Sequence, residues 1–524
     1  MLKKIVLPMF FTIIIFMLLV FSGNAETRPN QVIIALDPDY ETFDPGRAYE
    51  MFSQAVTNGL YDNLVKFISG KVEPVNHLVE SYEVSSDGKA FTFKLRSEVK
   101  FTSGNNLTSK DVKWSFDRVK NLKANPSFLA DNIDKVEILD EKTVRVYLHE
   151  PDGAFLYKLT NSAFAILDSE VVKSHGGISD VNAATADTAG MWLTQNSAGS
   201  GPYILRKYTP DVEVVLERND NYWKGAAAVE KVIFKDMPDS NTQMFMLQKG
   251  DIDIAYSLNA DQIMQLKGKE GVEILSFQTL SLSFLLMNED PKIGGPMANK
   301  DVQNAVRYAL DYKGIQTIVG EGAITPISII QVGFLGALPP RDPEYTNIEK
   351  AKELLVKAGY SNGFSVTLDT VTHATAGVKW VTLAQKVKED LSRVGIDVQI
   401  KTMQTTVGYE EYRNGRQGFA INAWGPDYID SNNQLAFLPG EMVGLRANWK
   451  ADANPKLVQL GKAALIESDD TIRAAIIEEI QEIMAEDSPF ATLVQYPKQI
   501  AFKKGLKGVE YTDCYKIEVY SFLW

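Results

Sequence analysis

Polar and apolar positions change rhythm several times along this chain. QVIIAL (31–36) is an apolar run that stops at Asp37-Pro38, the pattern of a strand entering a loop. From 47 to 68 the apolar positions Phe52, Val56, Leu60, Leu64 and Phe67 recur with helical spacing and predict a helix. Between 77 and 160 alternation takes over. FTFKLR (91–96) alternates cleanly, and VEILD (136–140) with VRVYLHE (144–150) predicts a hairpin around Glu141-Lys142. SKDVKWSFDRVKNL (109–122) interrupts as a helix, with Ser109 as N-cap and Val112, Phe116 and Val119 on one face. Residues 176–200, rich in Gly, Ala, Ser and Thr, read as a loop or boundary, after which GPYILRKY, VEVVLERN and VIFKD return to strand.

A second change follows LSFLLMN (282–288). The turn-rich EDPKIGGPMANKD leads into the helical patterns VQNAVRYALDY, IEKAKELLVKAGY and VTLAQKVKEDLSRVGI, which alternate with the strands FSVTLD, DVQIKTM and FAINAW. Strand–helix alternation predicts an α/β domain. Another amphipathic helix covers 469–486, and LVQYP, IAFK and KIEVYSFLW close the chain as short β-like pieces. The expected organisation is two lobes: a mixed, β-rich one over 26–288, and an α/β one over 289–495, with 496–524 returning to the first. Such repeated crossings suit a hinged clamp.

The start of the chain follows a different logic. Lys3 and Lys4 precede an almost wholly apolar run from Ile5 to Phe21, and Ser22, Gly23, Asn24 and Ala25 offer small residues for cleavage. This is the form of a secretory signal peptide over 1–25, with an uncleaved anchor as the alternative. Cys514 is the only cysteine, so no internal disulfide can form, and none follows the apolar run to carry a lipid. Cys514 reads as a buried, inert thiol. A free periplasmic protein is the expectation. The net charge of −13 does not suit nucleic acid or anionic lipid, and loss of Lys3 and Lys4 makes it more negative still.

Catalytic patterns are missing from the sequence. There is no phosphate-binding G-x-x-x-x-G-K-[ST] and no G-x-S-x-G at a strand-to-helix turn. His77, His149, His175 and His373 are isolated from one another, and none lies in a metal-ligand spacing. Asp37, Asp39, Glu41 and Asp44 lack the spacing and central glycine of a calcium loop and read as a solvated turn. No catalytic residue, cofactor or metal is expected; binding rather than turnover is.

Seven stretches carry a family resemblance. They are DGKAFTFKLRSEVKFTSGNNLTSKDVKWSFDRV (87–119), GSGPYILRKY (199–208), RNDNYW (218–223), VQNAVRYALDYKGI (302–315), EKAKELLVKAGYSNGF (349–364), LSRVGIDVQI (391–400) and AWGPDYIDSNN (423–433). In this order they resemble bacterial solute-binding protein family 5, the dipeptide- and oligopeptide-binding proteins of ABC importers. The resemblance implies a two-lobed α/β periplasmic-binding-protein fold of the class II type with an additional β-rich subdomain. Lobe I would then comprise 26–72, the subdomain 73–196, 197–288 and 496–524, and lobe II 289–495. It also implies closure around a peptide-like solute and delivery, as a monomer, to permease subunits at the inner membrane.

It further implies that Asp427, three residues after Trp424, anchors a ligand's α-ammonium group. A charge sealed in a closed cleft must be paired. Trp424 supplies a wall or a face for the cation; packing in the second lobe is the alternative for Trp424, and turn capping for Asp427. Tyr40 and Glu41, in the loop after the first strand, are further contact candidates, with a surface turn as the alternative. The family's carboxylate-binding arginine has no counterpart here: the corresponding positions are His373 and Ala374. Arg413 or Arg416 could meet a carboxylate instead, or the ligand is not a dipeptide. Oligosaccharides, opine-like compounds and nickel complexes are the alternatives within the family, with His373 as a contact. Outside it stand an exported hydrolase using Asp427 and Asp430, and a periplasmic chaperone or receptor ligand-carrier.

Overall fold

The computed structural model describes residues 30–38, 40–68, 73–467, 469–513 and 516–524. The expected signal peptide (1–25) and Cys514 lie outside the described residues. The strands that carry the architecture are β1 (Gln31–Leu36), β2 (Val79–Val84), β3 (Ala90–Leu95), β4 (Ile133–Ile138), β5 (Thr143–Leu148), β6 (Tyr203–Thr209), β7 (Glu213–Arg218), β8 (Lys231–Asp236), β9 (Ile254–Ala255), β10 (Val272–Met287), β11 (Phe364–Val371), β12 (Ile396–Met403), β13 (Phe419–Trp424) and β14 (Phe490–Lys503). Ten of them form one mixed sheet, in the order β12-β11-β13-β10-β14-β9-β1-β8-β7-β6. The remaining four make a separate antiparallel sheet, β2-β3-β5-β4.

The large sheet belongs to both lobes. On one side of its middle, β1 runs parallel to β8 and β9. These strands share a core with the C-terminal Ile517, Val519 and Phe522. On the other side β11 runs parallel to β12 and β13, packed by helices whose Val306, Trp380 and Leu391 are fully buried. Among the described residues only β10 and β14 extend across. They pair from Val272↔Lys503 to Gln278↔Pro497, break, and resume from Leu282↔Gln495 to Leu286↔Phe490.

The break has a local cause. Proline has no N–H to give to a ladder, and Pro497 sits inside β14. Opposite it, β10 bulges through Thr279–Ser281. Side chains meet the freed backbone groups, as buried polar groups require. Thr279 Oγ1 donates to the Tyr496 carbonyl at 2.7 Å, and Gln495 Nε2 to the Thr279 carbonyl at 2.7 Å. Gln331 Nε2 donates to the Leu280 carbonyl at 3.0 Å, and the Leu280 N–H donates to Asp513 at 3.0 Å.

Three sequence expectations change in detail. The helix read over 47–68 is only Met51–Leu60. The chain leaves it because Asp62 is drawn into a buried cluster, 2.7 Å from His77 Nε2 and accepting from Ser200, Tyr222 and Trp223; Leu64 and Val65 then pack into the small-sheet core. The helix Ser109–Leu122 is capped one residue earlier, by Thr108 in a capping box with Asp111. LVQYP and IAFK are parts of the single strand β14.

The acidic turn is also different from its sequence reading. Asp44 is buried, and Arg118 donates to both its oxygens at 2.7 Å. Arg118 Nε bonds Asp187 at 2.8 Å. This triad ties the loop after β1 to the subdomain helix. Removing one member of a buried ion cluster strands the rest, at a cost of about 3–5 kcal/mol. Arg118→Met is therefore expected to lower the denaturant midpoint by a corresponding amount, read by tryptophan fluorescence; an unchanged midpoint would dissociate the triad from stability.

Candidate functional site

A cavity of ≈ 550 Å³ opens over the broken ladder. Thr279, Ser281, Pro497 and Lys498 line its floor; Asp37, Phe52 and Tyr256 line the first-lobe side; His373, Thr375 and Lys379 line the second-lobe side. A separate, smaller cavity of ≈ 250 Å³ lies beyond the tip of β13, between subdomain residues Phe128 and Leu129 and residues Trp424, Asp427 and Leu435. A third space of ≈ 770 Å³ lies beside Gln31 and Ile33 of β1, with Asp253, Lys503 and Trp524. It is larger but involves one lobe only.

Asp427 stands where the lobes meet. Gly425-Pro426 ends β13 and sends the chain toward the first lobe, where Tyr428 inserts into the subdomain core and Asn161 Nδ2 donates to the Asp427 carbonyl at 2.8 Å. Tyr49 OH, from the loop after β1, donates to Asp427 Oδ1 at 2.6 Å. Asn433 Nδ2 donates to Oδ2 at 3.2 Å. The indole N–H of Trp424 donates to Asn433 Oδ1 at 3.1 Å. Because an indole N–H can only donate, it fixes the Asn433 amide with its NH₂ toward the carboxylate.

Among the described residues Asp427 has no salt bridge. Burial raises its pKa above the ordinary carboxylate range, and the hydrogen bonds from Tyr49 and Asn433, with the more distant charges of Arg446 and Lys516, offset that only in part. Asp430 is in a different position. It is buried, with Arg473 Nη1 at 2.8 Å from both oxygens, and it caps the 3₁₀ helix Ser431–Phe437. The two carboxylates do not form an acid–base pair facing a common space, which removes the sequence argument for a hydrolase.

The other sequence candidates separate. Trp424 lines the smaller cavity and also packs edge-on against Phe437 at 5.2 Å, so it is both wall and packing. His373 lines the larger cavity, with its ring edge-on to buried Trp380 at 5.2 Å. Tyr40 packs against Phe43 and Tyr208 in the first-lobe core. Glu41 is exposed beside Ser53, its N–H bonded to Ser53 Oγ at 3.3 Å. Neither Tyr40 nor Glu41 lines either interlobe cavity, because the loop turns inward at Phe43 and Asp44 and presents Tyr49 instead. Arg413 is exposed at the end of the helix Thr405–Arg413, outside both cavities. Arg416 is held by Glu411 at 2.7 Å. Sequence reasoning gave no place to Tyr49, whose hydroxyl meets Asp427. Among the described residues no cluster of His, Cys, Asp or Glu could hold a metal ion.

Two lobes sharing one sheet, with a polar crevice over the shared strands, define an extracellular solute-binding protein. Residues 73–441 match the model of the bacterial extracellular solute-binding proteins, family 5 Middle, and the chain belongs to that family. It is 27% identical over 493 residues to the probable D,D-dipeptide-binding periplasmic protein DdpA of Escherichia coli (strain K12), covering 93% of this chain and 92% of that one. It is 26% identical to the glutathione-binding protein GsiB of Escherichia coli O6:K15:H31, covering 91% of each. The solved structure of periplasmic DppA from Helicobacter pylori with the peptide STSA is 25% identical, with a TM-score of 0.76, covering 93% of this chain and 97% of that one.

The Asp427 environment makes a stability prediction without a ligand. Below the ordinary aspartate pKa of about 3.9 the group is protonated in both states and contributes no difference. As pH rises past that value the unfolded chain ionises first, so stability falls until the higher folded value is passed. Asp427→Asn should therefore raise the melting temperature of the ligand-free protein at pH 7 by roughly 1–3 °C, and the gain should vanish near pH 3. Calorimetry at both pH values checks this; a loss at pH 7 would mean that the carboxylate is already neutralised.

Proposed function

We propose that this protein is the periplasmic solute-capturing component of an ABC importer, and that its solute is a short peptide or peptide-like molecule whose α-ammonium group sits on Asp427. The observation that carries this reading is Asp427 itself: a carboxylate at the lobe boundary with two hydrogen-bond donors and no salt bridge among the described residues. Such a group is costly alone and favourable once a cation arrives. Tyr49 and Asn433 hold it in place for that cation, and Trp424 walls the site. The relatives' names agree in kind, since D,D-dipeptides, glutathione and STSA are peptides with an amino group.

In this reading the two lobes move against each other. Closure bends the β10–β14 ribbon where its ladder is already interrupted, and the ligand favours the closed state because it contacts both lobes. The closed monomer is recognised by the permease at the inner membrane, and the solute leaves unchanged.

Titration calorimetry with a panel of dipeptides and glutathione tests this. Asp427→Ala is expected to weaken the best-bound peptide by about 2–5 kcal/mol, and N-acetylation of that peptide should have a similar effect on the wild type. Unchanged affinity in Asp427→Ala would take Asp427 out of the site. A wild type that binds no member of the panel would overturn the peptide assignment.

A further inference from the structure

The core of the small sheet β2-β3-β5-β4 is completed by a residue from a distant part of the chain. Phe93, Leu95, Phe155 and Phe164 belong to that core, and Tyr428, from the segment just after β13, is buried in the same cluster. Lys158 lies over the Tyr428 ring, its Nζ 5.4 Å from the centroid, and Asp152 holds that ammonium at 2.6 Å. Asn161 holds the backbone beside the ring. Its Nδ2 donates to the Asp427 carbonyl at 2.8 Å, while its Oδ1 accepts from the Ala163 N–H at 2.9 Å. An amide has one acceptor oxygen and one donor nitrogen, so the cap of the 3₁₀ helix Ser162–Phe164 leaves the NH₂ facing Asp427.

A second contact lies next to Asp152. The Gly153 N–H donates to the Leu465 carbonyl at 3.4 Å, and a Cβ built on Gly153 would come within 2.6 Å of the Glu467 carbonyl oxygen. Glycine is needed here for the close approach of another backbone, not for its own φ, which is not positive. Leu465 lies in the helix Pro455–Ile466. Arg473, on the helix Asp470–Glu486, grips Asp430 at 2.8 Å, so the segment that carries Tyr428 is fastened to the helix that follows Glu467. Both contacts therefore join the same two sides, and both are made by protein groups with protein groups. Tyr428 and Lys158 also line the smaller cavity; Gly153 lines neither interlobe cavity.

We propose that the small-sheet subdomain is the keeper of a clasp, with Tyr428 as its bolt and Gly153 as the point where the two backbones close, and that this clasp sets solute affinity by holding the closed conformation whichever solute is bound. It rests on the hinged reading given above and adds what the subdomain does in it. If the two sides part, Tyr428 must leave its socket and return apolar surface to water, which favours the docked state. Apparent affinity scales with the fraction of molecules in the binding-competent conformation. Tyr428 and Gly153 are thus positioning residues, acting on the solute through that equilibrium. Docking of Tyr428 also brings its neighbour Asp427 to the Tyr49 hydroxyl, 2.6 Å away, so the clasp and the ammonium site close together.

The test compares wild type, Tyr428→Phe, Tyr428→Ala and Gly153→Ala by small-angle X-ray scattering of the ligand-free protein and by titration calorimetry with dipeptides and glutathione, each as free amine and as N-acetyl form. Circular dichroism melts confirm that each variant is folded; where Tyr428→Ala is not, Tyr428→Leu takes its place. Gly153→Ala removes no buried group and wedges only the seam, so it decides where the two sites disagree. Tyr428→Ala and Gly153→Ala are expected to increase the radius of gyration and to weaken every bound ligand by a common factor of about 10 or more, N-acetyl forms included. Tyr428→Phe keeps the ring and should match wild type in both. A residue that only supports the fold would lower the melting temperature and leave scattering and affinity alone; that result overturns the clasp. So does a loss of affinity confined to free amines, which belongs to Asp427. The ratio of free-amine to N-acetyl binding in wild type reports on Asp427 separately, so the clasp can fail while the ammonium site stands. If no panel member binds wild type, the peptide reading has failed and scattering alone decides: expansion in Gly153→Ala supports the clasp, and a curve identical to wild type overturns it.

Discussion

Pro497 has no N–H to donate, and it sits in the middle of one of the two strands that join the lobes. A regular antiparallel ladder cannot pass through that point. β10 answers with a bulge at Thr279–Ser281, and Thr279, Gln495, Gln331 and Asp513 supply the hydrogen bonds that the ladder no longer makes. The strands pair again on either side. Each lobe thus keeps a well-ordered half of one continuous sheet, while the junction holds together through side chains. The crevice lies over that junction, and its floor residues Ser281 and Lys498 are presented there because the pleat is interrupted.

Two buried ion clusters lie away from this crevice: Arg118 with Asp44 and Asp187, and Arg473 with Asp430. These pairs fasten the loop after β1 to the subdomain and the 425–437 segment to the helix Asp470–Glu486. Both fastenings hold the segments that carry Tyr49 and Asp427. Asp427 itself lacks a salt-bridge partner among the described residues. Low dielectric strengthens the attraction of such groups for an opposite charge and raises the cost of having none.

Two residues that the sequence singled out, Trp424 and Asp427, line the smaller cavity. Trp424 and Asp427 stand out because two carboxylates and two aromatic rings around Gly425-Pro426 fit neither a core nor a plain turn. Two others, Tyr40 and Glu41, line neither of the two cavities. Tyr40 and Glu41 follow directly on the strand, and nothing in the local pattern says that Phe43 and Asp44 turn inward. That turn depends on Arg118, which is distant in sequence. Arg413 lies outside both cavities for a similar reason: helical spacing identifies a face, but not which face looks into a cleft.

Local pattern fixed what local physics controls. Period-two alternation, helical spacing and turn residues specified most strands and helices, because those periodicities follow from which face each segment must bury. Segment order with its motifs carried the family. Tertiary structure decided what depends on partners far apart along the chain. It merged LVQYP and IAFK into one crossing strand, ended the first helix at Leu60 so that Asp62 could reach His77 and Trp223, and brought Tyr49 to Asp427. Coulomb interactions and desolvation act through space, and a sequence records neither distance nor burial until the chain has folded.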